Sequence, residues 1–74
     1  MQYASEKIEQ AKAMIAENER RILRQRRRVE KLRYDRQPAD EAQAQLLIME
    51  DSLLELNRYL TTLVNDLNPA DVSL

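Results

Sequence analysis

Arginine is the residue through which this 74-residue chain could do chemistry, because it holds no histidine, no cysteine and no glycine. No imidazole or thiol can therefore act as general base, nucleophile or metal ligand, and no loop can cradle a phosphate on glycine amides. Two groups of carboxylates, Glu17 with Glu19 and Glu50 with Asp51 and Glu55, invite the thought of a metal cluster in a helical bundle. That architecture draws on inward-facing Glu-x-x-His pairs, which a chain without histidine cannot form, so the acids read as solvated surface groups. No catalytic residue, metal or cofactor is expected, and the chain is not an enzyme on this reading. Between Arg20 and Arg36 nine basic residues stand against Glu30 and Asp35, a local surplus of seven. Such a block can neutralise phosphates and release counterions, and Arg20, Arg24, Arg27, Arg28 and Lys31 are its candidate nucleic-acid-binding residues. The bland reading ranks above it. The basic side chains are spread over several positions around a helix, and Glu50, Asp51 and Glu55 stand at a matching height on the next helix to pair with them.

These residues must be held by two long amphipathic helices. Ile8, Ile15, Ile22 and Val29 recur every seven residues, as do Leu46, Leu53, Leu60 and Leu67 beyond the internal Pro38. A second row completes each seam: Ala11, Asn18, Gln25 and Leu32 in the first segment, Ala42, Met49, Leu56 and Leu63 in the second. The spacing predicts an all-α, coiled-coil-like antiparallel hairpin over residues 1–67. Its first helix covers about 4–35 with Ser5 as N-cap, its turn lies at 36–37, and its second helix covers about 38–66. Pro38 is expected to open the second helix, where a missing N–H has no partner to lose, with Asp40 and Glu41 complementing the helix dipole. With no glycine to hand, Arg36 or Gln37 must close the turn. Asn68-Pro69 stops the second helix, and 68–74 is expected to be a frayed tail.

The helices are unequal. The intrahairpin seam of the first comprises Ile8, Ile15, Ile22, Val29 and Leu32, interrupted by Asn18 and Gln25, where a buried amide would restrict register and partner number. The alternative for these amides is a solvated edge. The second helix adds Leu47, Ile48, Leu54 and Val64 to its seam rows, an apolar arc wider than one neighbour can cover. Small chains gain stability from disulfides, metals or assembly, and without cysteine or histidine only assembly remains. The expected form is a dimeric four-helix bundle with Leu46, Met49, Leu53, Leu56, Leu60 and Leu63 as the oligomer interface. Docking of the same arc on a different protein uses the same leucines.

Charge divides along the chain. Residues 1–36 hold eleven basic and six acidic side chains, a surplus of five, whereas 37–74 hold Arg58 against seven acids, a deficit of six. The sequence pI of about 5.4 works against a dedicated nucleic-acid binder without excluding one, because the local field matters more than the total. Tyr3, Tyr34 and Tyr59 are too far apart for a base-stacking platform and are expected to pack at a helix end, at the turn and beside the seam. Residues 1–12 have no apolar stretch of signal-peptide type, and no run approaches the roughly 18 apolar residues of a membrane span, so a cytoplasmic location without membrane contact is expected.

The stretch Glu19-Arg20-Arg21-Ile22-Leu23-Arg24-Gln25, with Leu32, Ala42, Leu46-Leu47 and Met49 to Leu53, resembles short, functionally uncharacterised helical-hairpin proteins of alphaproteobacteria over roughly residues 8–60. The resemblance implies a bacterial origin and a hairpin fold, with no activity to carry over. Similar chains carry a glycine near the turn, where this one has Arg36. The expected function is a non-enzymatic protein–protein interaction or scaffold module that self-associates through its second helix, the alternative being a small nucleic-acid-binding bundle.

Overall fold

The computed structural model describes residues 2–67, with side chains from Ser5 to Asp66. Two α-helices account for nearly all of it: α1, Gln2–Tyr34 of 33 residues, and α2, Asp40–Leu67 of 28. Contacts from Arg33 to Gln43 and from Arg26 to Glu50 run in opposite senses along the two helices, which makes the pair an antiparallel hairpin. Its Cα radius of gyration is 17.1 Å, against about 11 Å for a compact domain of this length. The molecule is a rod, one helix thick.

Helix boundaries differ from expectation in physically informative ways. Ser5 lies inside α1 and so does not cap it. Pro38 does not open the second helix, because the first helical amide bond of α2 runs from Gln43 N to Ala39 O at 2.8 Å, which makes Ala39 the capping residue. The connection accordingly spans residues 35–39 instead of 36–37. Asp40 and Glu41 do occupy the first turn of α2.

The extra length is a structured end to α1. Arg36 N bonds Arg33 O at 3.0 Å and Gln37 N bonds Leu32 O at 2.8 Å. These are the paired reverse bonds of a Schellman motif, which satisfies helix-end carbonyls that would otherwise lack donors. The motif requires a left-handed residue at its C′ position, and Arg36 supplies it with φ 58°. Glycine would take that conformation without steric cost.

The interior is sparse. Among the described residues the buried apolar side chains are Ile8, Ala11, Ile22, Val29, Ala42 and Leu46, of which only the small Ala11 is fully enclosed. Ile22, Val29, Ala42 and Leu46 form one cluster near the turn, flanked by half-buried Leu32, Ala39, Met49 and Leu53. Toward the open end, Ile15, Leu56, Leu60 and Leu63 are also only half-buried. One facing helix cannot close around these rows as the two helices nearest it in a bundle would. The tail at 68–74 lies outside the described residues, as do the side chains of Tyr3 and Leu67.

Candidate functional site

The two seam amides resolve differently. Gln25 is buried at 8% exposure, and its Nε2 donates to the Ala42 carbonyl at 2.8 Å, with Gln45 Oε1 at 3.4 Å. Asn18 instead turns back on its own helix, donating from Nδ2 to Met14 O at 2.9 Å. Gln25 thus ties the helices together from within, whereas Asn18 follows the edge reading. A buried amide matched to one carbonyl penalises any slip between the helices, since a shifted register strands it.

Of the residues expected at an oligomer interface, Leu46 is consumed by the hairpin's own core, and Met49 and Leu53 pack against that core. Leu56, Leu60 and Leu63 retain partly exposed surface. Of the intrahairpin set, Ile8, Ile22 and Val29 are buried and Ile15 and Leu32 half-buried. The apolar surface left to solvent lies elsewhere: Leu47 55% exposed, Ile48 65%, Leu54 57%, with Leu23, Met14, Tyr59 and Val64.

Helical geometry sorts these into two sides. Leu47 and Leu54 stand one turn either side of Glu50, and Leu23 is one turn from both Glu19 and Arg26. Arg26 Nη2 meets Glu50 Oε2 at 2.9 Å, so Leu23, Leu47 and Leu54 belong to one broad side of the hairpin. A groove lined by Glu19, Ile22, Leu23, Arg26 and Leu53 runs between the helices on that side. Ile48, one turn from Gln45, belongs to the opposite side, where Gln45 meets Gln25. The wide arc expected of the second helix is therefore present, and it spills onto both sides.

The basic block takes a more ordered form than several scattered positions. Arg20, Arg24, Arg27 and Lys31 step by four, three and four residues, so at about 100° per residue they form one row on the side of α1 turned away from Ile22, Gln25 and Val29. Arg28 flanks the row. Arg26 to Glu50 is a cross-helix pair of the expected kind, but other cations find acids on their own helix or just beyond its end: Lys12 with Glu9, Arg20 and Arg24 with Glu17, Lys31 with Asp35 in the turn. Glu55 likewise pairs with Arg58 within α2. Arg21, Arg27 and Arg28 form no ion pair among the described residues. Exposed pairs of this kind contribute about 0–1 kcal/mol each and exchange readily for a better anion.

Glu17 reports the local field. A hydrogen bond from Arg20 at 2.8 Å, the charge of Arg20, and then the charges of Arg24 and Arg21 hold its carboxyl below the usual glutamate range. Tyr34 also departs from expectation: it does not pack at the turn but stands 88% exposed, and shares a shallow surface depression with Arg27, Glu30, Lys31 and Asp35. Nothing in the sequence pattern distinguishes a packed from a projecting tyrosine at a helix end.

Among the described residues there is no group of three or more acids placed to hold a metal ion, and no helix long and apolar enough to cross a membrane. The chain matches no family model, no curated protein and no solved structure.

Proposed function

We propose that the protein is a non-enzymatic interaction or scaffold module that assembles with a second copy of itself through the leucine-rich face of α2, forming a dimeric four-helix bundle. The observation that carries this reading is the broad side bearing Leu23, Leu47 and Leu54 above half-buried Leu53. Exposed leucines at helical spacing over an unfinished core mark a contact surface. That side runs about 42 Å along the 28 residues of α2 and measures 22 Å across the hairpin, or roughly 900 Å². A standard interface buries about 800 Å² per partner.

Charge supports a copy as the occupant. In a two-fold dimer the same patch meets itself, so an unbalanced patch would repel its image. Here Arg26 and Glu50 neutralise each other within the chain at 2.9 Å, and self-stacking brings no net like charge together at that point. The test is light scattering coupled to size exclusion across a range of chain concentrations, for the native chain and for Leu47→Glu/Leu54→Glu. A dimer mass for the native chain that falls to monomer in the double variant, with helicity reduced at most in part, is the expected result. A well-folded native monomer at every concentration overturns self-association and turns the same face toward a different protein.

A further inference from the structure

We infer that the outer face of α1 is a binding site for single-stranded nucleic acid, in which Arg20, Arg24, Arg27 and Lys31 track the phosphates and Tyr34 stacks on a base. The row faces away from the seam and adjoins the leucine-bearing side at Leu23, one turn from both Arg20 and Arg27, so the two surfaces meet along an edge without sharing a residue. Three observations converge on the site. The four cations share one helix face, rising one turn at a time over about 16 Å, with Arg28 beside them. Arg27 and Arg28 have no acidic partner among the described residues, and the side chains of Arg20, Arg24 and Lys31 are 60%, 63% and 81% exposed despite their local carboxylates. Tyr34 lies three residues beyond Lys31 and seven beyond Arg27, at the end of the same row, and its ring is given to solvent.

A large aromatic ring held in water beside a line of cations matches the two parts of single-strand recognition: an electrostatic track and a stacking platform. From Arg20 to Tyr34 is about 21 Å, room for about six nucleotides at the ~3.4 Å rise of a fully stacked strand and fewer where the strand is extended. That is within the ~4–16 nucleotide sites of known single-strand binders. An acidic protein surface would use the cations but leave the tyrosine unexplained, and a duplex gives it no unstacked base. The modest overall charge of −1 does not oppose the site, since attraction at this range follows the local field within a Debye length.

The experiment is fluorescence anisotropy of a labelled single-stranded RNA of about twelve nucleotides with the full chain, as a function of salt, with single-stranded DNA and duplex arms. Four phosphate contacts at about −0.7 each give an expected slope of log affinity on log salt near −3. Arg24→Gln/Arg27→Gln should bring the slope near −1.4, while Tyr34→Ala should weaken binding roughly ten-fold with the slope unchanged. All these side chains are exposed, so unchanged helicity is the folding control. Absence of binding at low salt and micromolar protein overturns the site, as does a slope that the double variant leaves in place. Tighter binding of duplex than of single strands, or indifference to Tyr34→Ala, overturns the single-strand assignment. If Arg24→Gln/Arg27→Gln lowers the mass seen by light scattering, the row is a contact between copies instead.

Discussion

Arg36→Gly is expected to stabilise a protein that has no glycine at all. Arg36 sits at φ 58°, where a Cβ crowds the following carbonyl and costs roughly 1–2 kcal/mol. Glycine removes that crowding but gives the unfolded chain more freedom, a loss of about 0.5–1 kcal/mol. The difference is a net gain of about 0.5–1 kcal/mol, or roughly 2–8 °C in Tm for a domain of this size. The bonds from Arg36 N to Arg33 O and Gln37 N to Leu32 O depend on the backbone alone and survive the change. Thermal unfolding followed by circular dichroism reads the effect directly. All variants should be run at one chain concentration, because an assembling protein has a concentration-dependent midpoint. Arg36→Ala is the decisive companion. It deletes the same charge and side-chain length yet keeps the Cβ, so it should show no gain. If Arg36→Gly is no more stable than Arg36→Ala, the left-handed turn argument is wrong.

Ala39→Ser places an oxygen at the start of α2 that can accept from the amides of the first turn, and should raise the unfolding free energy by about 0.5–1 kcal/mol in urea titrations; a value at or below native would show that Ala39 is not the cap. Gln25→Leu trades a bond worth about 1 kcal/mol for apolar burial worth about 1.5–3 kcal/mol. Its Tm should rise while light scattering shows a less uniform assembly, and a fall in Tm would mean that the Gln25 to Ala42 bond contributes more than typical net values. Glu17 should titrate below the ordinary glutamate range in a carbon-detected NMR pH series, and Arg20→Gln should return it toward that range. Because its folded pKa is the depressed one, the associated stabilisation is present above the ordinary glutamate range and is lost as pH falls through the Glu17 pKa. A Glu17 midpoint within or above the ordinary glutamate range would remove the argument.

Heptad spacing made the two helices and their buried sides legible: Ile8, Ile22, Val29, Ala42 and Leu46 all follow from period alone. The turn did not. Its conformation rests on a left-handed arginine, and Pro38 signals a boundary without saying whether it stands at the first helical position or before the cap. Gln25 and Asn18 occupy equivalent seam positions, so only the proximity of the Ala42 carbonyl to one and of the Met14 carbonyl to the other separates them. The alignment of Arg20, Arg24, Arg27 and Lys31 was present in the numbering, masked by Arg28 beside it and by arginines at 21, 26 and 33 on other sides. Tyr34 carried no sequence signal, because its exposure depends on the chain leaving α1 through the Schellman turn before the ring finds a neighbour.

The concentration of buried side chains near the turn has a kinetic consequence. Ile22, Val29, Ala42 and Leu46 meet after closing short stretches of chain, and the Gln25 to Ala42 bond spans only 17 residues. Each doubling of the closed length adds about 0.6 kcal/mol of entropic cost. The hairpin should therefore zip from the turn outward, and open in the reverse order. Amide exchange would grade along α1, slow around Val29 and fast around Ile8, with α2 graded the other way. A partner that reached Leu56, Leu60 and Leu63 at the fast end would flatten the gradient. The turn thus carries the part of the fold that a single chain holds closed most firmly, and the open end is where its lifetime is shortest.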